Sequence, residues 1–431
     1  MDKLYVGVGR TVITPELGGH LAGYAWDVFS DTVHDDLTAA ALVLRGKEET
    51  LLLISLTLCA VDKALAQQMK DMIRTEHPEL KQENILIGAI HTHSGPYTFT
   101  SVGWGEMDVP YCEKILFPQL MKAVDTAFTT MQSAQMGLNV VQSQVGINRR
   151  QYGPDGRVVL GQNPWGQYDP NMTVIAFRGE SGAPIANIVH YGAHNTATGK
   201  NGYITRDWAG VMIDQLDQES GAVTLFFNGC AGDVGPRIAN GRTTGNISYM
   251  EQIGAVAALD AVRAYRGIKS YHTVLPETVT GEIRLPYAPV IPLETAKAEL
   301  EKYRKLDNGN LYQRMRDYYP KIIEAYKTGL PQETERIIPV TLVKLGDVLL
   351  ITVGLELFSE IGLRLRAYSP VQHTLAVCYV NGNLGYFPSM DQLRRGGYEV
   401  LMSRTDGLQS ITDDADDYLI RSVLRLIEKF K

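Results

Sequence analysis

The chain is 431 residues long, with 41 Lys and Arg against 48 Asp and Glu, a formal net charge of −7, and 45% apolar side chains. That composition supports a packed core and excludes a largely disordered chain. A mildly acidic balance with no basic block also excludes binding of nucleic acid through bulk charge.

The chain opens on MDKLYVGVG, with no apolar leader and no small-residue cleavage site, so no signal peptide is expected. Short apolar runs predict strands at 4–8, 39–44, 51–56, 85–89, 174–177, 185–189, 223–227, 348–353 and 375–380. Helical periodicity predicts helices at 63–75, 111–131, 250–265, 296–305, 312–327, 358–367 and 415–430. The longest uncharged apolar stretch, TLLLISLTLCAV at 50–61, is shorter than the roughly 20 residues a membrane span needs. The pattern is α/β in the mixed α+β sense, with central mixed β-sheets flanked by helices and an active site at the strand ends. No linker divides it, so a single domain over 1–431 is expected, with a polar helical insertion near 293–336. The charges of that insertion read as a solvated face, the alternative being a lid. Cys59, Cys112, Cys230 and Cys378 form no CxxC pair, which points to a reducing, cytoplasmic setting.

Six motifs carry the chemistry. IHTHSGP (90–96) follows a buried strand, and strand alternation would place His91 and His93 on one face as metal ligands. VHYGAHNT (189–196) offers His190 on a strand and His194 beyond it. FNGCAGDVGPR (227–237) is a glycine-rich turn that reads as an anion nest or a plain tight turn, with Asp233 as a supporting carboxylate or a base and Cys230 as the one thiol placed to be a nucleophile. Glu356, after a buried strand, is a metal ligand or acid/base group, or the acidic first turn of a helix. NGNLGYFP (381–388) and GGYE (396–399) present Tyr386 and Tyr398, for which packing is the plainer alternative. GINRR (146–150) supplies Arg149, a clamp for a carboxylate or oxyanion, or else a surface charge. Five of these motifs leave apolar strands and the sixth follows a run at 140–145, the edge where α/β sheets bind ligands.

Taken in order, VGVGRTVITP (6–15), Gly23-Tyr24, HTHSGP, Asn148-Arg149, GDVGP (232–236), Glu356 and the tyrosines of 381–398 resemble the catalytic domain of the neutral, non-lysosomal ceramidases, over nearly the whole chain. The resemblance implies one zinc ion held by His91, His194, Glu356 and Tyr386, with His190 as the fallback for His194. It further implies that His93 and Arg149 face the substrate and that Tyr398, twelve residues after Tyr386, is the family's second tyrosine. Gly235 stands where the family has a serine, which removes a hydroxyl nucleophile at that position. The immunoglobulin-like domain of secreted relatives is not expected in this chain.

The expectation is therefore a zinc-dependent hydrolase in which a metal-activated water attacks the carbonyl of a small-molecule substrate, first an N-acyl amide, with His93, Arg149, Tyr398 and Asp233 as the catalytic group. Alternatives are a lactone or ester hydrolase, a metal-assisted lyase or isomerase on a small, polar, sugar-like substrate, and a non-catalytic metal-bound ligand-binding protein. No nucleic acid and no membrane span are expected, and a homo-oligomer is compatible with the sequence.

Overall fold

A computed structural model describes residues 3–24, 26–101, 104–306, 310–329 and 333–430. The apolar runs assemble into an eight-stranded sheet whose order, edge to edge, is Val223–Asn228, Pro184–Tyr191, Asn171–Gly179, Gln132–Gln142, Leu4–Val12, Thr38–Arg45, Thr50–Leu56 and Ile85–Ala89. Pairing is parallel at both edges and antiparallel between them. The sheet coils until its two edges meet. Phe227 packs on Gly88, and the Ser55 hydroxyl donates to the Phe226 carbonyl at 2.7 Å.

A second, four-stranded sheet is ordered Pro276–Pro286, Glu335–Leu345, Val348–Thr352 and His373–Val377. Leu42, Leu53, Phe177 and Ile188 of the first sheet share one buried cluster with Val343, Leu350 and Leu375 of the second. Burial of such apolar surface, at about 25 cal/mol per Å², is what holds two sheets face to face. Helices Asp207–Ser220 and Ile247–Arg266 pack on the first sheet, and Ala415–Ile427 packs on the second. Backbone bonds then stitch the sheets at their carboxyl ends, with Ala89 N–H donating to Tyr379 O, Asn381 N–H to Ile87 O and Cys378 N–H to Asn228 O. The loops that leave both sheets are thereby collected at one place. No helix among the described residues is long and apolar enough to cross a membrane.

Several elements depart from the sequence reading. The strands Pro276–Pro286 and Glu335–Leu345 are additions to the expected set: Glu277, Glu282 and Arg284 break the apolar run of the first, yet the two pair over their full length. The helix Asp207–Ser220 was also missed, since Gly210 lowers its propensity. The expected helix over 111–131 contains a π-turn at Cys112–Leu116 before its regular part, Phe117–Thr129. Pro118, which has no N–H to donate back along the helix, sits at that junction. The insertion forms two helices, Leu293–Arg304 and Asn310–Thr328. They are not a plain solvated face: Met315, Tyr319 and Ile322 are buried against Leu300 and Tyr303.

Candidate functional site

The strand before IHTHSGP ends at Ala89, so strand alternation does not bring its histidines together. Instead His91 takes a left-handed backbone conformation (φ 71°), which folds the chain so that the Nε2 atoms of His91 and His93 lie 3.2 Å apart. Tyr379 and Asn381, on the adjoining loop, are also left-handed. Such conformations cost about 1–3 kcal/mol each and persist only where surrounding contacts enforce them. Gly23 is required beside them: its φ is 106°, and a Cβ there would lie 2.3 Å from the His93 ring.

His91, His194 and Glu356 bring one ligand atom each within 4.8 Å of one another, and all are buried. The Nε2 atoms of His91 and His194 lie 3.6 and 3.7 Å from the same Glu356 oxygen. On its far side each ring is fixed by carbonyls. His91 Nδ1 donates to Cys59 O at 2.7 Å, and His194 Nδ1 donates to Ala231 O at 2.8 Å. Those bonds set the tautomer and leave both Nε2 lone pairs aimed inward, the arrangement that orients metal-binding imidazoles. Burial pushes His91 down to about 3 and His93 and His194 well below the usual imidazole value, so the rings are neutral. Burial also pushes the Glu356 carboxyl up to about 7, with Arg149 pulling the other way.

Glu356 is not in a helix; it pairs directly with Tyr386 in a short parallel ladder, Glu356–Leu357 against Tyr386–Phe387. The Tyr386 hydroxyl lies 3.4 Å from His194 Nε2 and accepts from Arg149 Nη2 at 2.9 Å. Burial works against the Arg149 charge, but Tyr386 and Glu399 outweigh it and its pKa is raised. Glu399 is fully buried and accepts from both Arg149 Nε (2.8 Å) and Arg150 Nη1 (2.7 Å). Tyr398 stands 5.8 Å from Tyr386, ring to ring.

His190 lies outside the group: its Nε2 donates to Ala376 O at 2.8 Å, as a core histidine. The glycine-rich turn is held in place by its own backbone bonds. Three of its N–H groups bond backbone carbonyls, Gly229 to Tyr191 O, Gly232 to Leu357 O and Val234 to Ala231 O. Its carbonyls in turn receive the His194 ring. Asp233 accepts from Asn148 Nδ2, Ser359 N–H and the Ser359 hydroxyl; burial raises it to about 6 against the Ser359 bonds. Cys230 is buried, and a hydrogen bond with Cys378 together with burial holds its thiol well up, which disfavours a nucleophilic thiolate.

Tyr379 and Glu399 were not singled out from the sequence. Tyr379 stacks on His91 at 4.3 Å and donates to Glu356 at 3.3 Å. Among 22 tyrosines nothing marks it in advance, whereas Glu399, next to Tyr398, could have been sought as the counter-charge for Arg149-Arg150. Cys59, behind His91, makes a second group with His91 and His93, but burial raises its thiol well above the usual value.

The group opens on a cavity of about 400 Å³ lined in part by His91, His93, Glu356, Tyr386 and Tyr398. Residues 4–254, more than half of the chain, match the family described as neutral/alkaline non-lysosomal ceramidase, N-terminal. The chain belongs to this family. The neutral ceramidase family accordingly makes it a hydrolase by descent, with His91, His194 and Glu356 as candidate metal-binding residues. Its fold is similar to the crystal structure of the neutral ceramidase of Pseudomonas aeruginosa, at TM-score 0.73 and 17% identity, covering 100% of this chain and 75% of the other. A second structure, a ceramidase complexed with C2, matches at TM-score 0.71 and 16% identity, with 99% and 75% covered.

At Gly235, where the resemblance places a serine, a Cβ would lie 2.5 Å from the Thr243 side chain. Gly235→Ser is therefore expected to lower stability by about 1–3 kcal/mol in urea unfolding, without raising turnover. Adding Thr243→Gly should recover part of the loss; full wild-type stability of the single variant would contradict the crowding seen here.

Proposed function

We propose that this chain is a metal-dependent hydrolase of acyl bonds, N-acyl amides first, in which His91, His194, Glu356 and Tyr386 hold a zinc ion. The observation that carries the reading is the convergence of two tautomer-fixed Nε2 atoms on one buried carboxylate. Two imidazoles, a carboxylate and a phenol oxygen form a nitrogen–oxygen donor set that suits zinc. When bound, the ion supplies a Lewis acid that polarises an acyl carbonyl and lowers the pKa of a water toward about 7.

The chain's own residues do the rest. The Arg149 guanidinium donates to the Tyr386 oxygen and so favours its anionic character against burial. His93 presents a neutral ring at the cavity wall, and with the Arg149 charge it supports an oxyanion. Tyr398 positions the substrate beside Tyr386, and Asp233 braces Asn148 and Ser359 behind the centre. Four unpaired, buried cysteines support a cytoplasmic setting.

The test is metal removal. Dialysis against a chelator should abolish hydrolysis of an N-acyl amide panel, and about one equivalent of zinc should restore it. Unchanged turnover by metal-free protein would overturn the proposal.

A further inference from the structure

Part of the cavity wall is built from charge, beside the apolar Phe99, Met402 and Leu408. Helix Asn310–Thr328 directs Arg314, Asp317, Tyr318 and Lys321 into it. These positions are spaced as one helical face. The intervening Met315, Tyr319 and Ile322 are buried against the neighbouring helix, so apolar packing aims the charged face at the cavity. Asp62 and Asp406 complete the polar wall.

We propose that the part of the substrate beyond the acyl carbonyl is a neutral polyhydroxylated group, a sugar or polyol, and not an alkyl chain. This deepens the hydrolase reading above and rests on it. An alkyl chain lying along the charged face of helix Asn310–Thr328 would strip water from Asp317 and Lys321 and return no hydrogen bond, which is unfavourable for each of them. A strongly anionic or cationic group is disfavoured too. Asp62, Asp317 and Asp406 share the wall with Arg314 and Lys321, and Arg314 is already engaged by Thr405 O at 3.0 Å and Asp406 at 3.6 Å, so no field of one sign dominates. Lys321 has no carboxylate within 4.0 Å among the described residues. A hydroxyl both donates and accepts, and so can satisfy ammonium and carboxylate side by side. Trp104 and Tyr318, also in the wall, add aromatic surface of the kind that packs on the C–H groups of a sugar.

The experiment compares kcat/KM of the zinc-loaded protein for two series sharing one acyl group, N-acyl aminopolyols and amino sugars against N-acyl alkylamines of equal size. The same series is run on the double variant Asp317→Leu with Lys321→Leu, whose folding is checked by circular dichroism. The wild type should favour the polyols by about tenfold or more, and that ratio should fall about tenfold in the variant, the scale expected for hydrogen bonds to charged groups. Preference for alkylamines, or an unchanged ratio in a folded variant, overturns the polyol assignment while leaving the hydrolase in place. If neither series is hydrolysed, the hydrolase reading fails. The polyol claim is then read by calorimetric binding of the same N-acyl aminopolyols: binding lost in the variant supports it, and no binding by the wild type overturns it.

Discussion

His91→Ala is expected to yield protein with no stoichiometric zinc and with kcat/KM for N-acyl amides lowered by about 10³-fold or more, since an ion of this kind supplies several kcal/mol to the transition state. The substitution removes a nitrogen that lies 3.6 Å from Glu356 and 3.2 Å from the His93 Nε2. It also places alanine, which enters the left-handed region less readily than histidine or asparagine, at a left-handed position. His91→Asn separates the two effects, because asparagine tolerates that backbone but carries no imidazole. Both variants should lose metal and turnover, while only His91→Ala should lose appreciable stability. Elemental analysis beside steady-state kinetics reads the outcome, and metal-free variants that still turn over would contradict it.

Glu399→Gln is expected to have the largest effect on stability. It leaves two buried guanidiniums, of Arg149 and Arg150, facing a neutral amide. Breaking a buried pair from one side costs about 3–5 kcal/mol, because the remaining charge stays desolvated. The urea midpoint should fall with an unchanged slope. Turnover should fall as well, since Arg149 is held against Tyr386 from the Glu399 side. A midpoint within about 0.5 kcal/mol of the wild type, the scale of an ordinary surface change, would show that the two arginines do not depend on this carboxylate.

Local chemistry was legible and long-range pairing was not. His91, His194 and Glu356 each follow a buried strand, which a sequence displays, and the fold brings the three together. The reason His91 and His93 meet is a left-handed backbone, and a histidine code carries no sign of that. The strands Pro276–Pro286 and Glu335–Leu345 were hidden because each is half exposed and exists through its partner. Helix Asn310–Thr328 differs from the solvated-face reading for a related reason. Charge on a helix face usually means water, but here the face borders the cavity. Glu399 and Tyr379 gain their meaning only from residues far away in the chain, Arg149 and His91.

The most direct measurement is anomalous diffraction at the zinc edge from crystals of protein purified without chelator. One peak is expected at roughly 2.0–2.2 Å from His91 Nε2, His194 Nε2 and a Glu356 oxygen, with the Tyr386 oxygen as the fourth protein donor. No peak among these residues in a preparation that hydrolyses its substrate, or a peak bound elsewhere, would contradict the account.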